Sequence, residues 1–354
     1  MTLLRGLKVR GWAVAVACFY AGGPLQYEVE KVGIPVHDLG KRGRWDVLQF
    51  MWRTARLLWT ERPEILHSYL PVPNLLSVFL LIFFRKMRVI WGVRASDMDL
   101  SHYDRLRRVS FWLERRCAGF PHMVIANSEA GARIRIAQGF PVSTMRAIPN
   151  GVDTERFRLD VDGRLRLRSK WGIAAKAVLV GVVGRLDPMK GHSTFLQAAA
   201  AVTRNNSHCR FVCVGDGPPE YTNALRRAAL GLGVDGRVIW AGARDDMAAV
   251  YSALDIACSS SSWGEGFSNA VAEAMACERA CVVTDVGDSA AIVGDAGRVV
   301  PPSDPAALSS AVLELLRLGH EGRSQLGAQG RRRVVELFSV ERMLDATTQA
   351  LKCL

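Results

Sequence analysis

Two glutamates, Glu265 and Glu273, flank a turn and a predicted helix start, with seven residues between them. Residues 266–268 favour a tight turn, and Asn269 favours a helix N-cap ahead of the helix-forming run AVAEAMA. The first turn of a helix leaves backbone N–H groups unpaired, and such groups bind phosphate. Because carboxylates repel phosphate, we expect the two glutamates to bind hydroxyl groups beside it. The pattern therefore indicates a ligand with sugar hydroxyls on both sides of a diphosphate, which is a nucleotide sugar.

Two basic residues follow an apolar run further upstream. The run VLVGVV over residues 178–183 is typical of a buried parallel strand, and Arg185 and Lys190 come soon after it. Ligands bind at the carboxyl ends of such strands in open α/β sheets. Arg185 can donate to two phosphate oxygens at once, and Lys190 supplies a point charge. Either residue alone would be an ordinary solvated loop charge, but together they are predicted to neutralise a leaving diphosphate.

Several segments carry a resemblance to a known family. In their order along the chain they are IPNGVDTERF, GRLDPMKG, FVCVGDGP, VIWAGARDDM and the loop with the two glutamates. Together they resemble the family 4 retaining glycosyltransferases, over nearly the whole chain and most specifically over residues 148–302. The resemblance implies an α/β protein of GT-B fold, in which two Rossmann-like domains face each other across a cleft.

The resemblance also implies roles for the residues around the donor. Arg185 and Lys190 would hold the donor diphosphate. Glu265 would bind sugar hydroxyls, and Glu273 would bind the ribose. The other donor-binding residues would offer amides to the distal phosphate or lie near the base: Gly266, Phe267, Ser268, Asn269, Gly215, Asp216, Gly217 and Arg244. The family needs no metal, and no DxD pair is placed to bind one, so we expect neither a metal nor a cofactor besides the donor.

The acceptor side departs from the family pattern. Many members carry a histidine in the loop after the strand that corresponds to VIWGV, whereas this chain has Arg94 there. Arg94 cannot act as a base near neutral pH, because its pKa exceeds ~12, but it could bind donor phosphate or an anionic acceptor. Asp97 is the nearest titratable candidate for a catalytic role, although it could equally be a surface carboxylate. His67, near the end of the strand-like EILHSYL, could face the cleft.

Short apolar strands alternate with helical patterns along the chain, which favours parallel sheets covered by helices. We expect an acceptor-side domain over residues 1–150, a linker over 151–171 and a nucleotide-sugar domain over 172–325. Helices over 326–354, broken near Ser339, would return toward the first domain. The family opens with a strand and a Gly-rich loop, but the first residues here already resemble the following helix. We therefore expect the first domain to lack its opening strand, because the true start lies upstream or the chain is a fragment.

Positive charge is concentrated in the first half of the chain. Residues 1–172 carry 28 Lys and Arg against 15 Asp and Glu, whereas residues 173–354 carry 18 against 19. Such a basic half suggests an anionic partner, which could be a membrane surface or a phosphorylated acceptor, or it could be only a basic surface. Nucleic acid is the weakest candidate, because no recognised motif or strand face with interleaved aromatics accompanies the charge.

Two segments bear on membrane binding. LLSVFLLIFF over residues 75–84 is too short to span a bilayer, which takes ~20 residues, so it is either a buried helix or a membrane-facing one. In the basic helix that follows, Leu106, Val109 and Leu113 are predicted to form an inward stripe, with Trp112 and arginines on another side. A basic helix face with tryptophan fits an anionic headgroup layer, although it also fits a solvated surface.

The cysteines and the N-terminus bear on the compartment. The eight cysteines show no metal-binding spacing, and we expect all of them to be small buried hydrophobes in a reducing cytosol. The N-terminus resembles a secretory signal, yet WAVAVACF alternates as a strand after a helical LLRGLKVR, and we favour the strand. The expected location is the cytoplasm, with peripheral binding to the inner face of the plasma membrane as a further option.

The expected activity is transfer of a sugar from a nucleotide diphosphate sugar to an acceptor hydroxyl, with retention at the anomeric carbon. A lipid-linked or polysaccharide acceptor in surface glycan synthesis fits the basic half. Two alternatives stay open: another GT-B activity such as a sugar-nucleotide epimerase, or an inactive membrane-associated paralogue that only binds the nucleotide sugar. A dinucleotide oxidoreductase is disfavoured, because no GxGxxG follows an early strand.

Overall fold

The structure is a computed structural model that describes residues 1–43, 46–94 and 105–354. Its strands are β1 Val16–Cys18, β2 Val36–Asp38, β3 Ile65–Tyr69, β4 Arg88–Val93, β5 Met123–Ala126, β6 Met145–Ala147, β7 Val178–Val183, β8 Cys209–Val214, β9 Val238–Gly242, β10 Ile256–Ser259, β11 Ala280–Thr284 and β12 Gly297–Val300. Its α-helices are α1 Thr2–Val9, α2 Pro24–Lys31, α3 Val47–Glu61, α4 Pro71–Leu81, α5 Arg105–Arg116, α6 Glu129–Ala137, α7 Val161–Lys170, α8 His192–Asn205, α9 Pro219–Gly231, α10 Met247–Ala253, α11 Asn269–Ala276, α12 Ser289–Val293, α13 Pro305–Arg317, α14 Gly319–Leu337 and α15 Val340–Lys352.

The second half of the chain builds a six-stranded parallel sheet in the order β12-β11-β10-β7-β8-β9. Along β7, Leu179 packs into one hydrophobic cluster, and Val180 and Val182 pack into another. Successive side chains of a strand point to opposite faces, so both faces of this sheet are covered. The chain leaves β7 toward β8 and β9 and later returns to place β10 on the other side. The order therefore reverses between β7 and β10, and a crevice opens at their carboxyl ends.

The first half of the chain builds two smaller parallel sheets. One has four strands in the order β3-β4-β5-β6, and the other contains only β1 and β2. Among the described residues β1 pairs with β2 and β3 pairs with β4, and no ladder joins β1 to β3. The resemblance predicts one sheet with its opening strand in a central position, whereas the described residues of this half form two separate sheets.

The last helix contacts the first. The Ser339 hydroxyl caps α15, as the predicted break near this residue requires, and Val152 pairs with Ser339 in an isolated β-bridge. Along α15, Asp345 forms a 2.7 Å ion pair with Arg10, the residue that caps the end of α1. Leu344 lies so close to Gly6 that a Cβ there would be 2.3 Å from its Cδ1 atom. Helix α15 thus ties the end of the chain to its beginning.

The inward face predicted for α5 is wrong. Val109 and Leu113 are exposed, and the side chain of Leu106 lies outside the described part of the structure. Glu114 is buried instead, where it accepts a 2.7 Å hydrogen bond from Asn74 Nδ2 and lies 3.6 Å from Arg135 Nη1. A buried carboxylate needs such partners, so polar contacts with α4 and α6 set the rotation of this helix.

The burial of the cysteines is only partly as predicted. All eight are free thiols, and five are buried, including Cys209 and Cys213 of β8. The prediction is wrong for Cys18 and Cys117, which are half-buried, and for Cys353, which is exposed at the end of the chain. Within the described ranges, no helix is long and apolar enough to cross a membrane.

Candidate active site

The carboxyl ends of β7 and β10 bring together two predicted site residues that are 75 positions apart in the sequence. Lys190 Nζ donates to Glu265 Oε1, and Ser261 Oγ donates to the same oxygen at 2.7 Å. Both side chains of the ion pair are largely shielded from water. Both of these hydrogen bonds are to Oε1, and no hydrogen bond to Oε2 of Glu265 is formed within residues 1–43, 46–94 and 105–354.

A short 3₁₀ turn places Lys190 in the crevice. Asp187 caps this turn by accepting from the Met189 amide at 2.9 Å. Gly191 ends it with a φ of +62°, and a Cβ there would be 1.9 Å from the carbonyl oxygen of Ser260. A left-handed backbone and a close approach to the loop after β10 together require glycine at this position.

Arg185 lies outside the ion pair. Its side chain is 72% exposed, and its nearest carboxylate is that of Asp187, at 3.8 Å from Nη2. A guanidinium with one weak contact is available to an anion that enters the crevice.

Helix α11 begins one residue earlier than the N-cap prediction requires. Ser268 is the N-cap and is buried, whereas Asn269 is the first helical residue. The Asn269 side chain accepts a 3.0 Å hydrogen bond from Asn150 Nδ2 across the cleft, so a contact with the other domain occupies the predicted capping group. No side chain of the described residues caps this helix, and amides of a helix start that lack such a cap are donors of the kind that can bind phosphate.

Glu273 is held in place by a residue that sequence reasoning missed. The hydroxyl of Tyr251 donates to Glu273 Oε2 at 2.8 Å, and the tyrosine is buried in the core. Burial raises the pKa of Glu273, while the hydrogen bond from Tyr251 and the charge of Arg156 oppose this shift. Nothing near Tyr251 in the sequence signals the contact, because it joins α10 to α11. Ser261 was missed in the same way, as one member of a serine run.

The loop predicted to lie near the base packs directly against the loop after β7. A Cβ on Gly215 would be 2.1 Å from the Gly184 oxygen, and one on Gly217 would be 2.1 Å from the Leu186 oxygen. Leu186 also donates its amide to the carbonyl of Asp216 at 2.9 Å. The segment 215–217 therefore forms the wall beside Arg185, and its contact with a base stays a prediction.

Arg244 lies on the same side of the crevice but has its charge satisfied. Its Nε and Nη2 atoms each donate to Asp246 at 2.8 Å, and its guanidinium lies over the Trp171 ring at 6.0 Å. This bidentate pair raises the pKa of Arg244 and lowers the pKa of Asp246. A role of Arg244 toward the base would require it to act from within this pair.

The other wall of the cleft contains a recess at the carboxyl ends of β3, β4 and β5, lined in part by His67, Tyr69, Arg94 and Asn150. The Arg94 guanidinium lies 4.8 Å from the centre of the Tyr69 ring, and Nη1 is 3.5 Å from Asn150 Oδ1. Burial, assisted by the charge of Arg94, lowers the pKa of His67 to about 4. The recess is therefore lined by a neutral histidine and a cation. Asp97, the other predicted acceptor-side residue, lies outside the described residues.

The two walls meet at Gly266. A Cβ at this position would be 2.6 Å from Asn127 Oδ1 and 3.4 Å from the Arg94 oxygen, so only glycine lets the loop after β10 approach the first domain this closely. The recess with Arg94 therefore adjoins the pair of Lys190 and Glu265. One ligand bound at each wall would place two reacting groups side by side.

These features define a two-domain GT-B protein with a ligand cleft between its halves. Family models support the same class: Glycosyltransferase Family 4 matches residues 1–156, and Glycosyl transferases group 1 matches residues 177–318. Together the two matches cover most of the chain. The chain belongs to this glycosyltransferase family, which confirms the family and the fold predicted from the sequence.

Curated relatives share part of their length with this chain. A GDP-mannose-dependent α-(1-6)-phosphatidylinositol monomannoside mannosyltransferase of Mycolicibacterium smegmatis is 32% identical over 195 residues, which are 52% of this chain and 50% of the relative. A D-inositol 3-phosphate glycosyltransferase of Saccharomonospora viridis is 32% identical over 63% of this chain and 53% of its own length. The chain spans about half the length of the curated relatives it matches.

Solved structures share the fold over the whole chain. HepE of Anabaena, in complex with UDP and glucose, superposes with a TM-score of 0.85 at 20% identity, over 100% of this chain and 95% of that one. A sucrose-phosphate synthase of Thermosynechococcus elongatus superposes with a TM-score of 0.82 at 21% identity, over 99% and 91%. At this level of identity the likeness establishes the GT-B architecture.

Proposed function

We propose that the chain transfers a sugar from a nucleoside diphosphate sugar to an acceptor hydroxyl, with retention and without a metal. The observation that carries the proposal is the Lys190–Glu265 pair, which lies where the strand order of the six-stranded sheet reverses. It is beside the start of α11, which no side chain of the described residues caps. This arrangement combines a cation, a hydroxyl-binding carboxylate and phosphate-binding amides in one crevice.

Each group has a defined task in the proposed reaction. Glu265 Oε2 accepts from a sugar hydroxyl, while Glu273, oriented by Tyr251, accepts from the ribose. As the bond from the anomeric carbon to the diphosphate breaks, negative charge grows on the leaving oxygen. Lys190, Arg185 and the α11 amides stabilise that charge. The acceptor oxygen bonds to the anomeric carbon on the face that the diphosphate leaves, and the acceptor proton passes to the leaving phosphate oxygen.

The acceptor is proposed to enter through the recess of the first domain. Arg94 supplies a cation there, and His67 is uncharged near neutral pH because its pKa is about 4. The mannosyltransferase relative is named for phosphatidylinositol monomannoside. An Escherichia coli galactosyltransferase, 26% identical over 67% of this chain and 62% of its own length, is named for α-D-GlcNAc-diphosphoundecaprenol. Both compounds join a sugar or an inositol to a phosphate and a lipid. An anionic, lipid-linked acceptor would match the charge of Arg94.

Such an acceptor would bring the protein to the cytoplasmic face of the membrane. Phe79 and Phe83, near the end of α4, are exposed and contact each other, and Trp112 of α5 is exposed as well. Arg85 and Lys86 come two and three residues after Phe83 in the sequence and are also exposed. Aromatic side chains with adjacent cations are suited to the interface of an anionic bilayer. We define Phe79, Phe83, Arg85, Lys86 and Trp112 as the interfacial patch.

The donor is identified by measuring the melting temperature of the purified chain with UDP-, GDP- and ADP-sugars, since a ligand of the folded state raises it. Transfer is then followed with that donor and a polyprenyl-diphosphate sugar as the acceptor. Lys190→Ala should lower turnover, and Lys176→Ala is the matched control, because Lys176 is exposed near the amino end of β7. Equal turnover of the two variants would contradict the proposed site.

Stereochemistry and metal use are tested on the same reaction. The anomeric proton coupling of the product should match that of the donor, and an inverted product would contradict retention. Turnover should be unchanged by EDTA. Loss of turnover that returns with added Mn²⁺ or Mg²⁺ would contradict the metal-free mechanism.

The membrane proposal is tested by flotation with phosphatidylglycerol vesicles against phosphatidylcholine vesicles. Binding should require the anionic lipid, weaken with salt, and fall in Phe83→Ser and Lys86→Glu. Leu230→Ser and Lys176→Glu change an exposed leucine and an exposed lysine of the other domain and should bind as the wild type does. Equal binding of all four variants would exclude the interfacial patch.

A further inference from the structure

One carboxylate of the second domain reaches into the first. Asp288 Oδ2 accepts from the Glu129 amide at 2.7 Å, and Oδ1 accepts from the Ala130 amide at 2.8 Å. These amides are the first two of helix α6, and Asp288 is only 5% exposed. A carboxylate at a helix N-terminus is favourable, because it meets unpaired donors and the positive end of the helix dipole.

The backbone around Asp288 is joined to the loop between β10 and α11, residues 260–268, which we call the donor loop. The Asp288 amide donates to the Gly266 carbonyl at 3.0 Å. Gly287 has a φ of +62°, and a Cβ there would be 2.4 Å from the Glu265 oxygen and 2.5 Å from the Gly266 oxygen. Movement of Asp288 therefore moves the backbone that holds Glu265.

In the first domain, backbone amides at the start of helix α6 bind this carboxylate. Ser128, the N-cap of α6, uses its own hydroxyl to accept from the Gly131 amide at 3.0 Å. The amides of Glu129 and Ala130 are therefore left for an acceptor from outside the helix. Asn127, just before the cap, lies against Gly266. The donor loop and the end of β5 thus meet at a contact in which the Asp288 carboxylate crosses from one domain to the other.

We propose that Asp288 is a positioning residue that holds the two domains closed, so that the donor at Glu265 and the acceptor in the recess lie within reach of each other. When the domains separate, water replaces Asp288 at α6 and the cleft opens for exchange of ligands. The link to turnover rests on the proposed function, but the closure itself does not.

Two variants remove the contact from its two sides. Asp288→Ala removes the acceptor. Glu129→Pro removes the Glu129 donor, and proline is tolerated there because Glu129 is the first residue of α6 and Ser128 is already extended. Asp285→Ala and Glu129→Ala are the matched controls, since both side chains are exposed and Glu129→Ala keeps the amide.

Domain closure is measured by small-angle X-ray scattering with and without UDP and GDP, which needs no turnover. The wild type and both controls should be compact, whereas Asp288→Ala and Glu129→Pro should have a larger radius of gyration. With the donor found for the wild type, both should lose about 10- to 100-fold in turnover. Nucleotide affinity should change little, because Asp288 is proposed to act on the domains and not on the nucleotide.

The combined variant Asp288→Ala/Glu129→Pro should resemble Asp288→Ala alone, because Asp288→Ala already breaks the hydrogen bond from the Glu129 amide and the proline has no further bond to break. Additive effects would show that the two residues act separately and would overturn the proposal. Wild-type scattering of Asp288→Ala and Glu129→Pro would also overturn it. If Asp288→Ala does not fold, Asp288→Asn, which keeps an accepting oxygen, and Glu129→Pro decide the question. If the two variants have the larger radius of gyration but the wild type shows no turnover with any donor, the proposed closure stands and only the proposed function is refuted.

Discussion

Replacing Lys190 with alanine separates two tasks of one ammonium group, which balances a shielded carboxylate and is proposed to stabilise the leaving diphosphate. The side chains of Lys190 and Glu265 are 20% and 8% exposed. Removing the lysine leaves Glu265 with the Ser261 hydroxyl as its described partner. Breaking a fully buried pair costs ~3–5 kcal/mol. Because this pair is partly hydrated, we expect about 2 kcal/mol, or about 4–8 °C in melting temperature.

The loss of turnover in Lys190→Ala should have a different cause from the loss of stability, so a second substitution that restores stability should not restore turnover. A preorganised charge at a leaving group is worth about 10²–10³-fold in turnover. The double variant Lys190→Ala/Glu265→Gln removes the unpaired carboxylate charge, so most of the lost melting temperature should return. Turnover should stay low, since the cation for the diphosphate is still missing.

Melting temperature without ligand and initial rates with saturating donor are the two measurements. Lys176→Ala controls for the loss of a lysine near the opposite end of β7. If the double variant regained turnover together with stability, Lys190 would have only a structural role. If Lys190→Ala kept both quantities at wild-type values, the ion pair itself would be refuted.

Three further predictions concern buried groups. Tyr251→Phe frees Glu273 from its 2.8 Å hydrogen bond and should weaken nucleotide-sugar binding several-fold with little change in maximal turnover, as titration calorimetry and kinetics would show. Burial lowers the pKa of His192 to about 4, so the unfolded chain binds the extra proton first and stability should fall as pH drops from 6.5 toward 4; His192→Gln should flatten this part of the curve of melting temperature against pH. Glu114→Gln leaves Arg135 buried without its counter-charge and should cost about 1–3 kcal/mol in urea unfolding, and an unchanged midpoint would contradict the assigned ion pair.

Local sequence patterns predicted the strands and loops of the donor side well. The apolar run 178–183 became β7, and the stop near Ser339 became the start of α15. These features depend on neighbouring residues, on apolar runs, glycines and capping groups, so a linear pattern contains them. Asn269 shows the limit: a good capping residue became the first helical residue because its side chain pairs with Asn150.

Sequence patterns in the first domain were less informative, because contacts with residues elsewhere in the chain decide which side of a helix is buried. The spacing of Val109 and Leu113 suggested a buried stripe, but Glu114 is buried because Asn74 and Arg135 meet it there. A periodic pattern records polarity, and it does not record which polar group will find a buried partner.

The sequence by itself determined the family, the alternating architecture and the residue types of the donor loop, because each is written in short stretches of chain. Only the tertiary structure decided that Lys190 bonds to Glu265, that Tyr251 orients Glu273 and that Asp288 reaches α6 of the other domain. Each of these contacts joins elements that are brought together by strand order or by the closing of two domains. Neither is encoded by local spacing, since both depend on how whole sheets bury their apolar faces.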